Sequence, residues 1–374
     1  MKLEVLQENL SKALTSASRL VSTHVTLPIL SNILLETSGG RLKVSATNLE
    51  TTTTIFIGAK ILKDGGFTLP ARTFTELINT LPAGKITLEL SEGQLLVSTD
   101  KFNSKINGIP AVEWPISETE VLDAKKDKVE ISASDFVSAV NQTAFAAATD
   151  DGRPALTGVL FLPEEDKLTL VSTDGFRLSQ KTLVTKITGK SVLVPAKALI
   201  EAARIIGEET KKEAGPLIFL SFIKNQIIFF IGDIILSSRL IEGTFPAYEK
   251  IIPSTTSSRS VSLSSAELLR AIRSAGIFAR DNANIIKFQI SDNKFQISSV
   301  AAQIGENVSE LDAKIDGGTK EKFTIAFNYR YLLDFLSIIG DDEVVIEFST
   351  PLSPGLFKIP ALKNFLHLIM PVRV

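Results

Sequence analysis

The sequence predicts an α+β protein built from six copies of one unit, in which a strand and a helix are followed by three further strands. Two observations predict this fold class. A strand that leads into an amphipathic helix recurs along the 374 residues, and a second pattern of the same kind recurs between its copies. Each predicted helix is followed by short runs of alternating apolar and polar residues, which are typical of half-buried strands. We therefore expect three domains, each containing two copies of this β-α-β-β-β unit.

The first pattern opens each third of the chain. In segment 3–17 a short strand precedes a helix whose Leu and Ala residues share one face, and segments 129–140 and 261–272 repeat this arrangement. We expect Ser134 to cap the second of these helices, because a serine hydroxyl accepts a hydrogen bond from an unpaired amide of the first turn. Ser264 begins a capping-box spacing at the third helix.

The second pattern lies inside each third, where a strand again runs directly into a helix. Its copies are segments 67–78, 192–203 and 323–336. The domains are accordingly expected at residues 1–124, 125–254 and 255–374. The boundaries fall near the charged stretch 123–128 and the Ser/Thr/Pro-rich stretch 253–260. Six similar helices indicate a curved array with helices on one face and strands on the other, and closure into a ring would remove its unpaired strand edges.

The composition indicates a folded protein of the reducing cytoplasm. Hydrophobic residues make up 44% and charged residues 22% of the chain, and its net charge is −2. Any nucleic-acid contact must therefore concentrate basic charge locally. The absence of cysteine excludes disulfides, cysteine-bound zinc and thiol catalysis. Segment 1–4 lacks the apolar stretch of a signal peptide, and the longest apolar run, 226–236, is too short to span a bilayer.

The residues that usually perform catalysis are sparse. The only histidines are His24 and His367, and neither has an identifiable serine and carboxylate beside it in a triad. Segment 189–191 resembles the end of a phosphate-binding loop, but Val184 stands where that loop requires glycine. Carboxylate clusters such as 164–166 fall in predicted turns, where solvated charge is usual. A carboxylate-based hydrolase or metal site stays open as an alternative.

The segment 167–180 combines a strand, a tight turn and a second strand. Asp174-Gly175 supplies the positive φ that such a turn favours. An aromatic residue, a cation and an aliphatic residue follow at 176–178. Segments 42–50 and 95–102 repeat the order of apolar strand, small hydroxyl residues and Asp or Asn, but they lack these three side chains. The copy at 167–180 is therefore the candidate binding turn.

The predicted helices carry more Lys and Arg than Asp and Glu, although the chain as a whole is slightly acidic. Taken alone, this surplus is explained by mixed charge on solvated helix surfaces. The other interpretation is a helix-lined face that attracts phosphate without reading bases. Arg270 and Arg273, one helical turn apart, are its strongest local support.

Several short motifs, taken in order with the threefold repeat, resemble the family of bacterial sliding clamps, the β subunits of DNA polymerase III. These motifs are segments 26–30, 173–178, 245–248, 252–253 and 370–374. The resemblance covers the whole chain and implies three DNA-clamp domains, with helices lining a ring and sheets outside. It implies a cytoplasmic, non-enzymatic, head-to-tail homodimer that encircles duplex DNA of any sequence and acts as a processivity factor. The implied partners are DNA polymerase III α, other polymerases, repair proteins and the ATP-driven clamp loader, with no cofactor and no membrane contact.

The resemblance also implies three sets of site residues. The pocket for partner peptides would be lined by Leu156, Thr173, Gly175, Phe176, Arg177, Leu178, Pro246, Lys250, Ile251, Leu352, Pro354, Leu368, Met370, Pro371, Val372 and Arg373. The DNA-facing set would be Lys12, Arg19, His24, Arg72, Lys197, Arg204, Arg270 and Arg273. At the dimer interface, Leu77, Leu81, Lys101 and Ile106 would face Ile277, Phe278, Glu306 and Glu310.

Five residues depart from what is frequent in that family. Phe176 lacks the polar tip of the usual His or Tyr, and Lys250 lacks the planar fork of Arg. His24 replaces a basic residue, and Pro154-Ala155 replaces aromatic residues at the mouth of the pocket. A repeat scaffold that binds protein or carbohydrate and never touches DNA is the other non-enzymatic interpretation of the repeats. Retention on circular but not on cut DNA would separate the two.

Overall fold

A computed structural model of the chain describes residues 1–21, 27–116, 128–150, 152–210, 217–253, 259–291, 294–317 and 322–373. These residues form two compact units. Unit 1 comprises residues 1–134 and 201–240, and unit 2 comprises residues 135–200 and 241–374. The predicted boundary stretches 123–128 and 253–260 lie largely outside the described residues. No helix in the described ranges is long and apolar enough to cross a membrane.

Six α-helices occur in the described part of the chain. They are α1 (Gln7–Ala17), α2 (Ala71–Thr80), α3 (Ala133–Thr143), α4 (Ala196–Glu209), α5 (Ser265–Ala279) and α6 (Tyr329–Ser337). Each is amphipathic. In α1, for example, Leu10, Ala13 and Leu14 are buried while Lys12 is exposed.

The helices begin directly where a strand ends, and this junction corrects two cap predictions. Helix α3 begins at Ala133, so Ser134 lies inside its first turn and cannot be its N-cap. Ser264 does occupy the N-cap position of α5, but its side chain makes no capping hydrogen bond. The neighbouring Ser265 amide donates instead to the Asp342 carbonyl at 2.9 Å. The strand-to-helix connection thus satisfies an amide that a loop would leave for a side chain.

Twenty-six strands occur in the described ranges. They are β1 (Lys2–Leu6), β2 (Asn32–Ser38), β3 (Arg41–Thr47), β4 (Thr51–Lys63), β5 (Gly66–Pro70), β6 (Lys85–Ser91), β7 (Gln94–Ser98), β8 (Asn103–Asn107), β9 (Ile109–Pro110), β10 (Val129–Ser132), β11 (Gly158–Glu164), β12 (Lys167–Thr173), β13 (Arg177–Val184), β14 (Val192–Pro195), β15 (Leu217–Ile223), β16 (Gln226–Ile231), β17 (Ile234–Arg239), β18 (Arg259–Ser264), β19 (Ile285–Ser291), β20 (Lys294–Ala301), β21 (Gly305–Leu311), β22 (Lys314–Gly317), β23 (Phe323–Asn328), β24 (Glu343–Phe348), β25 (Gly355–Lys358) and β26 (Phe365–Ile369).

All strand pairs in unit 1 are antiparallel and belong to one sheet. Its main path is β10-β15-β16-β17-β4-β1-β6-β7-β8, and β2, β3, β5 and β9 branch from it. Strand β4 carries the connection, because its first residues pair with β17 and its last residues pair with β1. We call the β4–β17 ladder the first seam. Within the described residues, β8 has no further neighbour and forms one end of this sheet.

Unit 2 contains two antiparallel sheets among its described residues. One follows the order β14-β11-β12-β13-β26-β25-β24-β18-β22, and the other follows β21-β20-β19-β23. We call the β13–β26 ladder the second seam. The two sheets enclose a core rich in phenylalanine, in which Phe288, Phe327 and Phe335 are fully buried.

The predicted fold class is confirmed. Each of the six helices follows one strand and precedes three, so the β-α-β-β-β unit occurs six times, from β1-α1-β2-β3-β4 to β23-α6-β24-β25-β26. Strands β9 and β22 lie outside this repeat. The periodicity of apolar residues therefore predicted both the element types and their order.

Candidate functional site

The turn between β12 and β13 is held by side-chain hydrogen bonds to its own backbone. The Thr173 hydroxyl donates to the Arg177 carbonyl at 2.5 Å and accepts from the Gly175 amide at 3.0 Å. Asp174 Oδ1 accepts from the amides of Phe176 (2.9 Å) and Arg177 (3.0 Å). Gly175 has φ of +92°, a conformation that glycine adopts without steric cost. The turn leaves the Phe176 side chain 61% exposed.

Arg177 is the buried centre of this region and is only 9% exposed. Its Nε lies 3.0 Å from Asp174 Oδ2, and its Nη1 lies 2.5 Å from Asp334 Oδ2. Its guanidinium carbon lies 4.8 Å from the ring centroid of Tyr331 and 5.5 Å from that of Phe145. Two carboxylates and two ring faces therefore compensate the cation, which is the usual condition for burying a charge.

Tyr331 on α6 also supports the exposed aromatic ring of the turn. The rings of Phe176 and Tyr331 stack with a centroid distance of 6.3 Å and an interplanar angle of 16°. Burial raises the pKa of Tyr331 above its ordinary value, and the nearby Asp174 charge adds to this. Tyr331 and Asp334 are absent from the predicted pocket set. Their spacing of three residues on one helix face was visible, but the packing of α6 against a turn far away in sequence was not.

The second seam brings the last residues of the chain to the turn. The Met370 amide donates to the Phe176 carbonyl at 2.8 Å, which continues the β13–β26 ladder beyond β26. Two residues later, the Val372 amide donates to the Ala326 carbonyl at 2.8 Å. The structure thus joins two predicted segments that lie almost two hundred residues apart, at 173–178 and 370–373.

Beneath this surface lies an apolar cluster. Leu178 and Leu368 are almost completely buried in it, together with Tyr248 from the short 3-10 helix 248–251. Leu356 belongs to the same cluster, two residues after Pro354. These contacts anchor the segments that carry the other predicted pocket residues, and they make Leu178 and Leu368 core residues as well.

The rim of the region is apolar and exposed. Leu352 is 66% and Ile251 is 41% exposed, so Ile251 is not an ordinary core residue. Pro246, Lys250 and Arg373 are exposed, whereas Leu156 and Thr173 are buried and Pro354, Met370, Pro371 and Val372 are half-buried. No described carboxylate pairs with Lys250 or Arg373. The region therefore offers adaptable aliphatic surface, stacked rings and two exposed cations.

The predicted DNA-facing cations lie on or beside the helices. Lys12, Arg72, Lys197, Arg270 and Arg273 are exposed on helices, and Arg19 is exposed on the 3-10 turn that follows α1. Lys12, Arg19 and Arg204 line a groove of 790 Å³ in unit 1. His24 lies outside the described residues.

Two of these cations are neutralised by neighbours on their own helices. Arg204 bonds Glu201 and Glu208, each at 2.6 Å, and reaches Ser16 of α1 at 3.2 Å. The hydrogen bonds to Glu201 have the largest effect on the pKa of Arg204 and raise it above its ordinary value. Arg72 pairs with Glu76 at 2.9 Å. Their contribution to a positive potential is accordingly smaller than that of the exposed, unpaired cations.

The predicted interface residues lie on or near two strands, β8 and β21, that end their sheets among the described residues. Ile106 lies on β8, Lys101 in the turn before it, and Leu77 and Leu81 on or just after α2, although Leu81 is 8% exposed and belongs mainly to the core. Glu306 and Glu310 lie on β21, which ends the four-stranded sheet among the described residues. Ile277 and Phe278 lie on α5, where Ile277 is 57% exposed. The hydrogen bond from Lys294, with help from Gln296, lowers the pKa of Glu310.

Comparison with known proteins gives matches along nearly the whole chain. Residues 1–118, 130–247 and 249–373 match the N-terminal, central and C-terminal domains of the DNA polymerase III beta subunit. The beta sliding clamp of Staphylococcus aureus (strain Mu50) is 28% identical over 386 residues, covering 100% of this chain and 99% of that protein. The sliding clamp of Bartonella birtlesii bound to griselimycin has a TM-score of 0.92 and 27% identity, with 100% of both chains covered. The DNA polymerase III subunit beta of Pseudomonas aeruginosa has a TM-score of 0.91 and 27% identity, again over 100% of both chains.

The repeated α+β domains and these matches define the class of DNA sliding clamps. The chain belongs to the DNA polymerase III beta subunit family. It is a non-catalytic processivity factor of DNA polymerase III and acts in DNA replication. The resemblance drawn from the sequence motifs is confirmed.

Proposed function

We propose that the chain forms a ring-shaped, cytoplasmic, head-to-tail homodimer with domains at 1–124, 125–254 and 255–374. The ring encircles duplex DNA, tethers DNA polymerase III α and other polymerases, and is opened by the clamp loader. The observation that carries this proposal is the presence of two sheet ends, β8 and β21, in a member of the sliding-clamp family. Pairing of β8 with the partner's β21 satisfies both edges, which otherwise promote aggregation.

The dimer contact is tested by removing its apolar anchors. Because buried apolar side chains dominate such contacts, replacing Ile277 and Phe278 together by Ala should yield monomers. Val184 is 81% exposed at the end of β13, outside the sheet that contains β21, and Val184→Ala is the matched control. Sedimentation gives the mass of each variant. A double variant that still sediments as a tight dimer would reject this interface.

The DNA contact is proposed to be electrostatic and independent of sequence. The exposed helix cations Lys12, Lys197, Arg270 and Arg273, with Arg19 and Arg72, support it, because they attract phosphate without reading base edges. Arg204 would add to this positive charge.

Topology supplies the decisive experiment. After loading onto a nicked circular duplex, the protein should co-elute with the circle and leave it once the circle is cut. Equal retention on cut and uncut DNA would contradict the ring. The double Ile277/Phe278 variant serves as the control that cannot encircle DNA.

The region around Arg177 is proposed to bind partner peptides in an extended form. Phe176, Ile251 and Leu352 are exposed and Met370 is half-buried, so Leu or Phe anchors would find apolar surface. Each fully buried anchor contributes on the order of 1.5–3 kcal/mol before ordering costs, which gives micromolar affinity for an isolated peptide. Lys250 and Arg373 would attract acidic flanks. Griselimycin, bound by the Bartonella birtlesii clamp, is proposed to compete for the same surface.

Deletion of residues 370–374 tests the pocket. The truncated protein should lose the peptide and keep its dimer mass, because the tail takes no part in the proposed interface. Anisotropy of a labelled peptide with Leu and Phe anchors and sedimentation are measured on one sample. Unchanged peptide affinity after the deletion would place the pocket elsewhere.

A further inference from the structure

The second seam contains a buried polar pair. Ser179 on β13 lies directly opposite His367 on β26, and the Ser179 hydroxyl is 2.6 Å from His367 Nδ1. Both residues are 0% exposed. A buried hydrogen-bonded pair favours one alignment of its neighbours, because another alignment breaks the bond and leaves its donor and acceptor unpaired.

The first seam has the same ladder without this pair. There Thr53 on β4 lies opposite Leu236 on β17, in the position that Ser179 and His367 occupy in the second seam. The hydroxyl of Thr53 is buried and has no hydrogen-bond partner among the described residues. The chain therefore provides an internal comparison between a seam with a polar pair and a seam with an orphan hydroxyl.

His367 also connects the seam to Arg177 through neighbouring aromatic rings. Its imidazole lies 5.1 Å from the Phe335 ring and 5.2 Å from the Phe145 ring, measured between centroids. Phe145 is the ring over which the Arg177 guanidinium lies at 5.5 Å. Along the strands, Ser179 is two residues from Arg177, and His367 is three residues from Met370.

We propose that Ser179 and His367 are positioning residues of the peptide pocket, which fix the register of β13 against β26 and hold Phe145 beneath Arg177. This inference rests on the proposed peptide-binding function. A one-residue slip of the ladder would turn every side chain of β26 to the opposite face. It would also break the hydrogen bond between the Met370 amide and the Phe176 carbonyl, on which the pocket depends.

The state of His367 fits this role. Burial, and to a smaller extent the positive charge of Arg177, lowers its pKa to about 3. The imidazole is therefore neutral and pairs with a hydroxyl that rotates to suit it. Nε2 has no partner among the described residues. The hydrogen bond to Ser179 is therefore the polar contact that the described residues give the imidazole.

Two substitutions of His367 separate hydrogen bonding from packing. His367→Phe keeps the stacked ring and leaves the Ser179 hydroxyl unpaired. His367→Asn loses the ring but retains a polar group near the position of Nδ1. If the hydrogen bond sets the register, His367→Asn should bind the Leu- and Phe-containing peptide more tightly than His367→Phe, even though it unfolds more easily. We expect His367→Phe to weaken peptide binding about tenfold.

Matched hydroxyl removals complete the experiment. Ser179→Ala should weaken the peptide to a similar extent, whereas Thr53→Val should leave peptide affinity unchanged and not reduce stability, since its hydroxyl has no partner. Affinities that follow the order of stability, or that change in none of the variants, would overturn the proposal.

A second readout does not depend on any ligand. Hydrogen exchange at the Met370 amide should accelerate in His367→Phe and much less in His367→Asn. If wild-type protein fails to bind the peptide but this exchange pattern holds, the peptide pocket is wrong and the register role stands. If the peptide binds and the exchange rates do not separate the two variants, the register role is wrong.

Discussion

Two turns of the molecule share the same hydrogen bonds between side chains and the backbone, but their exposed or buried side chains differ. Each turn lies beside a seam. In turn 47–51 the Thr47 hydroxyl donates to the Thr51 carbonyl at 3.2 Å and accepts from the Leu49 amide at 3.0 Å. Asn48 Oδ1 accepts from the next two amides, at 3.0 and 2.7 Å. Turn 173–177 repeats every one of these bonds with Thr173 and Asp174.

The ladders beyond the turns also correspond. The Arg239 amide donates to the Glu50 carbonyl at 2.8 Å, as the Met370 amide does to Phe176. Even the short 3-10 helices Pro28–Ser31 and Pro154–Thr157 match, with a hydroxyl bonded to the first carbonyl in each. Threonine and Asn or Asp at equivalent positions of the repeated unit therefore give both copies the same backbone conformation.

The difference lies at the last two residues of each turn. The Arg177 side chain joins two carboxylates and two rings, whereas the side chain of the equivalent Thr51 makes one 3.4 Å hydrogen bond, to Ser238, among the described residues. Phe176 stands where Glu50 stands in the other turn. The two turns therefore share one backbone frame and differ in side-chain chemistry, and substitutions at equivalent positions should separate the two contributions.

The largest contrast is expected between Arg177→Ala and Thr51→Ala. Removing Arg177 leaves Asp174 largely buried without its cation, so unfolding free energy should fall by about 3 kcal/mol and peptide affinity should be lost. Thr51→Ala removes one long hydrogen bond, costs about 1 kcal/mol or less, and should not affect the peptide. Urea unfolding and peptide anisotropy measure the two effects. Equal losses of affinity would mean that the two turns do not differ in function.

The sequence predicted the frame better than the contacts. The six units and the turn at Asp174-Gly175 were readable, because helix and strand periods and turn residues act locally. The roles of Tyr331 and Asp334 were not, since they depend on α6 packing against a distant turn. From the sequence, His367 is a candidate only for catalysis, whereas the structure buries it in the second seam.

The sequence also predicts which residues belong to the site better than it predicts their contacts. Helix positions identified Arg204 as basic, but its pairing with Glu201 and Glu208 depends on rotamers that charge counting does not see. The family resemblance assigns segments 173–178 and 370–373 to one pocket without information on which strands pair. Physical reasoning on the residues alone had no means to align two strands so far apart.

A smaller contrast is expected near pH 5, at about 2 kcal/mol, because the buried polar pair of the second seam contains a histidine and the first seam has no such pair. His367 has a pKa of about 3 when folded and its ordinary value of 6.5 when unfolded. Between these values the unfolded chain binds the extra proton, so stability falls as pH falls, with full stability retained above the unfolded pKa. Wild-type protein should lose up to about 1.4 kcal/mol per pH unit relative to His367→Phe below about pH 6. Parallel unfolding curves at all pH values would contradict a neutral, buried His367.

The smallest contrast concerns the residue at positive φ, where one turn has glycine and the other leucine. Gly175 has φ of +92° and Leu49 has φ of +74°. A side chain in this region costs roughly 1–2 kcal/mol, so Gly175→Ala should destabilise by about 1 kcal/mol. A Cβ at Gly175 would meet only Arg153 Nη1 at 3.7 Å, so the cost comes from the backbone and not from a clash. Leu49→Gly relieves the same strain but gives the unfolded chain more freedom, so it should stabilise by no more than about 0.5 kcal/mol. Thermal unfolding of both variants should therefore show shifts of opposite sign. If Leu49→Gly destabilises as much as Gly175→Ala, the leucine side chain makes contacts that outweigh its strain, and the two turns are less alike than their hydrogen bonds indicate.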